Sequence, residues 1–506
     1  METAGIGSMR RKSHTKSRTG CRTCKVRRVR CDETWPSCRN CSTTGRRCDG
    51  PSSPSAKPER VSFIQVSMST LHPVRLLYEN EQEAHYAQLF LDHVLCVMSG
   101  YSTRPAWRSL MVQAVHEEVA VRHVAIAVSA VLYEKSATPV SAISSPLWKH
   151  GDENRRFSLT RYGKGLSALR KMMCCKDHRS VEVTLICGAL CIWFELIAGE
   201  PLMALNHLDQ CLKIISGSGG KLDPSISYTF SKLDLQAATY IGRRPPAIVA
   251  TDMKPIQYIF DFFDEAEQCL LEEYNRIYSF KRTVAARYRY LGPDWIPMEL
   301  LAYVQLLRDR LEHWESTYKF SYACQKAEGT PQLAQRVTLL FINYHTALIT
   351  VSTCLYPEET IYDRFLSSFQ QILSLAKVLI EGYFAQRHQN WPGFSLDMGI
   401  IQPLYMTATK CRNSDVRQHA IDLLSSAPVI EGVWDGRTTA LVSRRAKELE
   451  EEGLERATDG IPEYRRIHSI GLDVNAELHQ IEIAFRRRLN GFDGEWNDTI
   501  EIHSLP

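Results

Sequence analysis

The chain has 506 residues, of which 44% are hydrophobic and 23% charged, proportions that are ordinary for a folded soluble protein. Residues 1–60 hold 15 basic and 5 acidic side chains, a net charge of +10, whereas the rest holds 46 and 52, a net charge of −6. The basic end is therefore the one expected to face nucleic acid. The most apolar run, Val183 to Phe194, has 12 residues, which argues against a membrane helix because such a helix needs about 20.

Six cysteines near the start of the chain follow a repeated spacing, C-x2-C-x6-C, then six residues, then C-x2-C-x6-C again. They are Cys21, Cys24, Cys31, Cys38, Cys41 and Cys48. Each half offers three thiolates, whereas a structural zinc ion is held by four ligands, so neither half completes a site alone. Two zinc ions need eight ligand positions, and six cysteines fill them if two sulfurs each bind both ions. The spacing predicts a two-zinc cluster but not which two sulfurs bridge.

Three other uses of these cysteines fit the sequence less well. A disulfide framework requires an oxidising compartment, but the first eighteen residues contain no apolar segment typical of a signal peptide, so the chain is predicted to be intracellular. A zinc ribbon built from Cys21, Cys24, Cys38 and Cys41 would have a gap of 13 residues, shorter than the usual ~15 to 20, and would leave Cys31 and Cys48 unused. The tight cysteine runs of iron–sulfur proteins are absent from this segment.

The segment between the second and third cysteines is basic. Two Zn2+ ions and six thiolates leave a net charge of −2, which nearby cations can offset. These cations are Lys25, Arg27, Arg28, Arg30, Arg46 and Arg47. The run from Lys25 to Arg30 is too short for a stable helix in water, but metal ligands at Cys24 and Cys31 hold both of its ends. One or two helical turns are therefore expected to persist, and such a helix can enter a major groove. A second interpretation is that these residues only neutralise the cluster.

The segment from Thr19 to Cys48 resembles the fungal-type binuclear zinc cluster of transcription factors such as the yeast galactose activator. The resemblance rests on the cysteine spacing, the basic run, the Cys31-Asp32 pair and Pro36, which matches a loop proline of the family two residues before Cys38. It implies that Cys21 and Cys38 are the bridging sulfurs. One zinc ion would then be held by Cys21, Cys24, Cys31 and Cys38, and the other by Cys38, Cys41, Cys48 and Cys21.

The same resemblance implies roles for the basic run. Arg27 and Arg28 stand at the mid-run positions where the family has basic residues that reach base edges in a CGG-type triplet, and Arg28 replaces the usual lysine. Arginine can bond guanine O6 and N7 bidentately, so guanine recognition is expected. Lys25 and Arg30 match positions that contact phosphate, and a helix N-terminus near the DNA backbone would add to that contact.

Beyond Cys48 the composition changes. The Pro- and Ser-rich stretch PSSPSAKP is predicted to be extended and marks a domain boundary. A helical pair is predicted from Val181 to Ala198 and from Leu202 to Ile215, with Gly199 at a helix end and Pro201 at a first helical position. Two further sets of residues share a helical face by spacing. They are Tyr86, Phe90, Val94 and Val97, and then Leu478, Ile481, Phe485 and Leu489.

The large C-terminal part resembles the fungal-specific transcription factor domain that commonly follows a binuclear cluster, on segments such as HYAQLFLDHVLCVMSG and TLICGALCIWFELIAGEPLMALNHLDQCLKII. Such domains regulate output, receive effectors or pair subunits. The predicted fold is mainly α, with a basic flexible N-terminus (1–20), a zinc cluster domain with two short helices (21–50), a linker (51–74) and a large all-α regulatory domain (75–506). No long heptad run follows the linker, so a dimerising coiled coil is not predicted.

These features predict a nuclear, zinc-dependent, sequence-specific DNA-binding regulator of RNA polymerase II genes, not an enzyme. The resemblance implies CGG-type triplets, a metabolic or secondary-metabolite gene set, homodimerisation and contacts with the transcription machinery; no membrane partner is expected. An adaptor whose zinc cluster is structural and whose helical domain binds proteins is the first alternative. An enzyme comes third, because no nucleophile–base set, paired carboxylates or cofactor loop emerges. The acidic tail from Phe492 to Pro506 is predicted to be a solvated end, with an activation segment as the alternative.

Overall fold

The computed structural model describes residues 20–34, 36–48, 77–98, 104–137, 152–173, 178–219, 222–241, 244–250, 252–325, 330–386, 394–396, 398–426, 430–454, 460–475, 478, 480–488 and 494–505. The chain divides into two compact units, Met1–Leu77 and Tyr78–Pro506, and each is described by itself. Apart from Gly20, the predicted basic N-terminus (1–20) and the whole predicted linker (51–74) lie outside the described residues.

The described part of the first unit contains two short helices, α1 (Arg22–Val26) and α2 (Arg39–Ser42). Each begins directly after the first cysteine of its half of the repeat, and the Sγ atom of Cys21 accepts a hydrogen bond from the backbone N–H of Cys24 at 3.4 Å. Helices of five and four residues are not stable alone in water. The cysteine cluster between them therefore supplies the structural support that their length does not.

The second unit is mainly helical, as the periodicity predicts. Its helices are α3 (Glu81–Leu89), α4 (Leu95–Met98), α5 (Pro105–Glu117), α6 (Val119–Ala137), α7 (Asp152–Met172), α8 (His178–Ala198), α9 (Pro201–Gly217), α10 (Pro224–Ile241), α11 (Phe263–Phe280), α12 (Ala286–Tyr288), α13 (Met298–Gln325), α14 (Pro331–Thr353), α15 (Leu366–Gln386), α16 (Ile401–Lys410), α17 (Ser414–Ser426) and α18 (Gly436–Glu451). A π-helical turn, Phe90–Val94, joins α3 to α4, and a 3-10 segment, Glu359–Phe365, precedes α15.

The predicted helical pair is confirmed as α8 and α9. Gly199 lies between them at a φ of +88°, a left-handed conformation that glycine adopts without strain, and Pro201 is the first residue of α9. The segment Arg179–Ala198 is long and apolar enough to cross a membrane, so the 12-residue run understated its length. However, 89% of its most apolar window is buried inside the unit, as in the core helix of a folded domain. Trp193 on α8 is fully buried.

The end of the chain differs from the predicted helix. Three antiparallel strands, β4 (Ile467–Asn475), β5 (Gln480–Arg488) and β6 (Trp496–Ser504), form a sheet in the order β4-β5-β6. The helical face predicted through Leu478 and Ile481 is therefore wrong, and its last member, Leu489, lies outside the described residues. A small sheet joins β1 (Phe394–Ser395), β2 (Ile430–Glu431) and β3 (Trp434–Asp435).

One face of the C-terminal sheet packs on α18. The residues that form this contact are Ile467, Ile481, Ile483 and Phe485 on the strands and Val442, Ala446 and Leu449 on the helix. Along β5 the buried residues alternate with exposed or partly exposed ones, which is the period of a strand with one buried face. The alternation at positions 481, 483 and 485 thus decides the secondary structure of this segment.

Two buried glutamates connect the sheet to the helices. Glu359, which is fully buried, forms ion pairs with Arg289 at 2.9 Å, with Lys410 at 2.7 Å and with Arg412 at 3.2 Å. Burial opposes ionisation of this carboxyl, but the adjacent cations hold its pKa well below the ordinary value for glutamate. Lys410 also donates to the backbone carbonyl of His468 at 2.8 Å. The charge cluster therefore ties the helical core to the start of β4.

Glu450 on α18 extends this network. Its carboxylate lies 2.8 Å from both Arg412 and Arg417, and it accepts a hydrogen bond from the backbone N–H of Ile467 at 2.6 Å. The side chains of Glu450 and Arg417 are fully buried. Burial disfavours the charged form of Glu450, yet the two arginines lower the pKa of its carboxyl below the ordinary value.

Candidate metal centre and nucleic-acid interface

The six cysteines of the repeat come together in the first unit. Five of them are buried, and Cys48 is partly exposed. The Sγ atom of Cys24 lies 3.5 Å from that of Cys38, and the Sγ atom of Cys21 lies 3.8 Å from those of Cys38 and Cys41. In a tetrahedron with Zn–S bonds of about 2.3 Å, neighbouring sulfurs are about 3.8 Å apart. The spacing of the sulfurs therefore fits zinc coordination.

The sulfurs form two overlapping groups of four. Within each group all Sγ atoms lie within 4.8 Å of one another. The groups are Cys21, Cys24, Cys31, Cys38 and Cys21, Cys38, Cys41, Cys48. Each group supplies the four thiolates that a structural zinc ion needs, and the two groups have Cys21 and Cys38 in common. Six residues thus offer the eight ligand positions that two zinc ions need.

Backbone N–H groups around the sulfurs follow the repeat. The N–H of Cys21 donates to the Sγ atom of Cys31 at 3.4 Å, and the N–H of Cys38 donates to that of Cys48 at the same distance. In both halves the backbone N–H of the first cysteine thus forms a hydrogen bond with the sulfur of the third. Burial raises the pKa of the Cys21 thiol to about 12, and a cation beside the sulfur would favour its thiolate form. A zinc ion would provide that charge.

Helix α1 ends in a turn that positions the basic run. The N–H of Arg28 donates to the carbonyl of Lys25 at 3.1 Å, and the N–H of Val29 donates to that of Cys24 at 3.2 Å. This pair of bonds forms a Schellman motif, which needs a left-handed residue just past the helix end. Arg28 occupies that position at a φ of +56°. Glycine is the usual residue there, so the backbone at Arg28 is somewhat strained.

The structure separates the four predicted DNA-binding side chains into two kinds. Lys25, Arg28 and Arg30 are exposed. Arg27 is partly buried, and its Nη1 atom donates to the backbone carbonyl of Asn40 and to the hydroxyl of Thr44, both at 3.2 Å. The guanidinium group of Arg27 therefore lies against the second half of the repeat.

Asn40 is a structural residue that sequence reasoning did not single out. Its backbone carbonyl accepts from Arg27, and its Nδ2 atom donates to the carbonyl of Arg30 at 2.7 Å. Asp32 makes a similar connection, because its Oδ2 atom accepts from the hydroxyl of Thr34 at 2.8 Å and from the N–H of Arg39 at 3.1 Å. These bonds hold the two halves together. Nothing in the cysteine spacing points to Asn40, whereas the Cys31-Asp32 pair is part of the family resemblance.

Comparison with known proteins matches residues 19–58 to the family model of the fungal Zn(2)-Cys(6) binuclear cluster domain. This segment is a binuclear zinc cluster domain. Domains of this family hold two zinc ions through six cysteines, and the two groups of sulfurs described above suit that number. Zinc is therefore the cofactor of the chain. The family match leaves the helical unit aside, so its resemblance to the fungal-specific transcription factor domain stays a prediction.

Individual relatives point the same way. The chain is 22% identical to the aspercryptin biosynthesis cluster-specific transcription regulator atnN of Emericella nidulans, over 83% of this chain and 85% of that protein. It is 56% identical to a Zn(2)-C6 fungal-type transcription factor of Gibberella zeae over 12% of this chain and 11% of that protein. It is 37% identical to the transcriptional regulatory protein moc3 of Schizosaccharomyces pombe over 11% of each chain.

The shorter matches correspond in length to the zinc cluster domain, whereas the match to the Emericella nidulans protein spans most of the chain. All three relatives are named as transcription factors or regulators, not enzymes. Zinc cluster proteins of this class bind DNA. Together with the domain match, these relatives support a zinc-dependent transcription regulator.

Proposed function

We propose that this protein acts in the nucleus and regulates RNA polymerase II genes by reading a CGG-type triplet through the basic run next to the zinc cluster. The observation that carries the proposal is the exposure of Lys25, Arg28 and Arg30 on a short helix end held by zinc ligands. A rigid cationic segment of this size suits a major groove. The net charge of +10 on residues 1–60 supports duplex DNA as the partner.

The proposal assigns one zinc ion to Cys21, Cys24, Cys31 and Cys38 and the other to Cys38, Cys41, Cys48 and Cys21. Cys21 and Cys38 would bridge the ions, since both belong to each group of sulfurs. Zinc would give the module its fold, because its two helices, of five and four residues, are too short to be stable without a metal. Side chains of the module would then hold the basic run in place.

The basic side chains would make different kinds of contact with DNA. Arg28 would contact guanine, and Lys25 and Arg30 would contact phosphate oxygens. Arg27 is also predicted from the sequence to contact DNA. It would add positive charge, while its bonds to Asn40 and Thr44 hold α1 against the second half of the repeat. In vitro selection from random DNA with the full-length protein tests this proposal. Failure to select any sequence would favour the adaptor alternative.

Removal of the Arg28 side chain should relax base preference at one position. Arg28→Ala is expected to weaken the selected site by about 1 to 3 kcal/mol. Lys25→Ala should instead weaken all DNA sequences nearly equally, because a phosphate contact carries no sequence information. Competition binding with the selected site and with single-base variants of it measures both effects.

Arg28→Gly is the matched control for backbone strain. Glycine suits the φ of +56° at this position, so the variant removes the same side chain without disturbing the turn. It should reproduce the binding loss of Arg28→Ala while holding two zinc ions. An equal loss on specific and random DNA in both variants would instead identify Arg28 as a phosphate contact and transfer base reading to Arg27.

Binding to duplex DNA should weaken steeply with salt, because phosphate contacts release condensed counterions. If about four to six phosphates are engaged, the slope of log K against log salt concentration should be about −4 to −5. Fluorescence anisotropy with a labelled duplex over a range of KCl concentrations measures the slope. A slope near zero would contradict DNA binding through the basic run.

For the helical unit we propose a regulatory role with contacts to the transcription machinery. The similarity to a regulator named for a biosynthesis cluster, which extends over 83% of this chain, supports a metabolic or secondary-metabolite gene set as the target. Transcript profiling after deletion of the gene tests this assignment. Changes confined to one group of neighbouring biosynthetic genes would support it.

A further inference from the structure

The C-terminal sheet has an open edge. Strand β6 (Trp496–Ser504) is hydrogen-bonded to β5 along one side. Along its other side, no backbone group among the described residues forms a hydrogen bond with it. Two isoleucines of this strand are largely exposed, Ile500 by 61% and Ile502 by 64%. A nine-residue edge with exposed apolar side chains is a ready template for pairing with another strand.

Three of the usual protections of a sheet edge are missing from β6, although the strand carries the charged residues Asp498 and Glu501. Natural edge strands are commonly interrupted by proline, lysine or a bulge. The sequence WNDTIEIHS contains no proline or lysine, and the register with β5 runs without a shift from Ser504 to Trp496. By contrast, β4 at the opposite edge has a register shift between Ile467 and Ser469. The pairing of β6 is therefore regular along its whole length, whereas that of β4 is not.

We propose that β6 pairs antiparallel with β6 of a second copy of this chain, which would join two three-stranded sheets into one of six strands. A two-fold axis through Ile500 makes the strand complementary to itself, as a symmetric dimer interface requires. Ile500 then faces its own copy, Glu501 faces Thr499, and Ile502 faces Asp498. No two like charges lie opposite each other in this register.

The acidic residues of β6 are already compensated within each copy. Glu501 is held by Arg445, with N–O distances of 2.7 and 2.9 Å, and Asp498 is held by Arg486 at 2.7 Å. A register centred on Glu501 would place two carboxylates opposite each other, so we favour the register centred on Ile500. Because both carboxylates are already paired, this edge offers no excess charge to attract a highly charged partner. A second copy of the chain is therefore the favoured occupant.

The dimer is expected to form in a concentration-dependent way, because paired nine-residue strands give a small interface. Sedimentation velocity of the zinc-loaded full-length protein without DNA measures its formation, so the result does not depend on the proposed DNA reading. Ile500→Lys should raise the dimer dissociation constant about tenfold or more, since two lysines would then face each other across the axis. Ile502→Lys should have a smaller effect, because the new cation would face Asp498 of the second copy.

Leu478→Lys is the matched control. Leu478 is exposed by 64%, like the two isoleucines, but lies between β4 and β5 and away from the edge, so dimerisation should be unchanged. Hydrogen exchange of the unmodified protein adds a measurement without any substitution: protection of β6 amides should increase with protein concentration. A protein that is monomeric at all concentrations would overturn the proposal, and so would a dimer that Ile500→Lys leaves intact or that Leu478→Lys disrupts equally.

Discussion

Cys38→Ser should deprive the protein of both zinc ions. The Cys38 sulfur belongs to both groups of four sulfurs, so its loss leaves each ion with three ligands. Structural zinc in small modules contributes about 10–16 kcal/mol of binding free energy that is also folding free energy. The zinc cluster domain should therefore unfold, and specific DNA binding should be lost.

Native mass spectrometry of the full-length protein can count the ions in this variant. Cys48→Ser, which affects only the second group, should leave one zinc ion. Cys96→Ser should leave two, since Cys96 is exposed and belongs to the helical unit. Retention of one zinc ion by Cys38→Ser, or of both by Cys48→Ser, would contradict the proposed sharing of sulfurs.

Glu450→Gln should destabilise the helical unit by about 3–5 kcal/mol, because it leaves the fully buried Arg417 without its carboxylate at 2.8 Å. Glutamine has nearly the same size, so the loss would report charge rather than packing. Since the two arginines lower the pKa of Glu450, its ion pairs stabilise the folded state above the ordinary glutamate pKa of about 4.3. That contribution should disappear as pH falls through the lower pKa of the folded state.

Glu448→Gln is the control on the same helix. Glu448 is 53% exposed and pairs with Arg445 at 2.9 Å, and surface pairs of this kind contribute about 0 to 1 kcal/mol. Urea unfolding followed by circular dichroism of the helical signal compares the two variants. Similar midpoints for both would show that the Glu450 network adds no stability beyond a surface pair.

The metal centre could be predicted from the sequence because its information is local. Six cysteines within 28 residues set the ligand number, and the four-coordinate preference of zinc then requires sharing. The α8–α9 pair was predictable for the same reason, since Gly199 and Pro201 mark its turn and the apolar period on each side is that of a helix. Such features depend on neighbours in the chain, not on distant contacts.

The C-terminal strands could not be assigned from spacing alone. Ile481 and Phe485 are four residues apart, and this separation places two side chains on the same side of both a helix and a strand. Ile483 distinguishes the two, because an apolar residue at that position fits only the strand period. All three residues are buried against α18, as the strand period requires. The sheet thus depends on a partner surface that lies earlier in the chain.

The sequence by itself determined the two-zinc chemistry, the basic segment beside it and the mainly helical class of the rest, because each follows from short-range spacing and composition. Only the tertiary structure decided which basic side chain is engaged within the module, since the bonds of Arg27 to Asn40 and Thr44 join two halves of the repeat. It also decided the burial of Glu450 and the open edge of β6. These features depend on residues far apart in the chain, whose contacts no local period encodes.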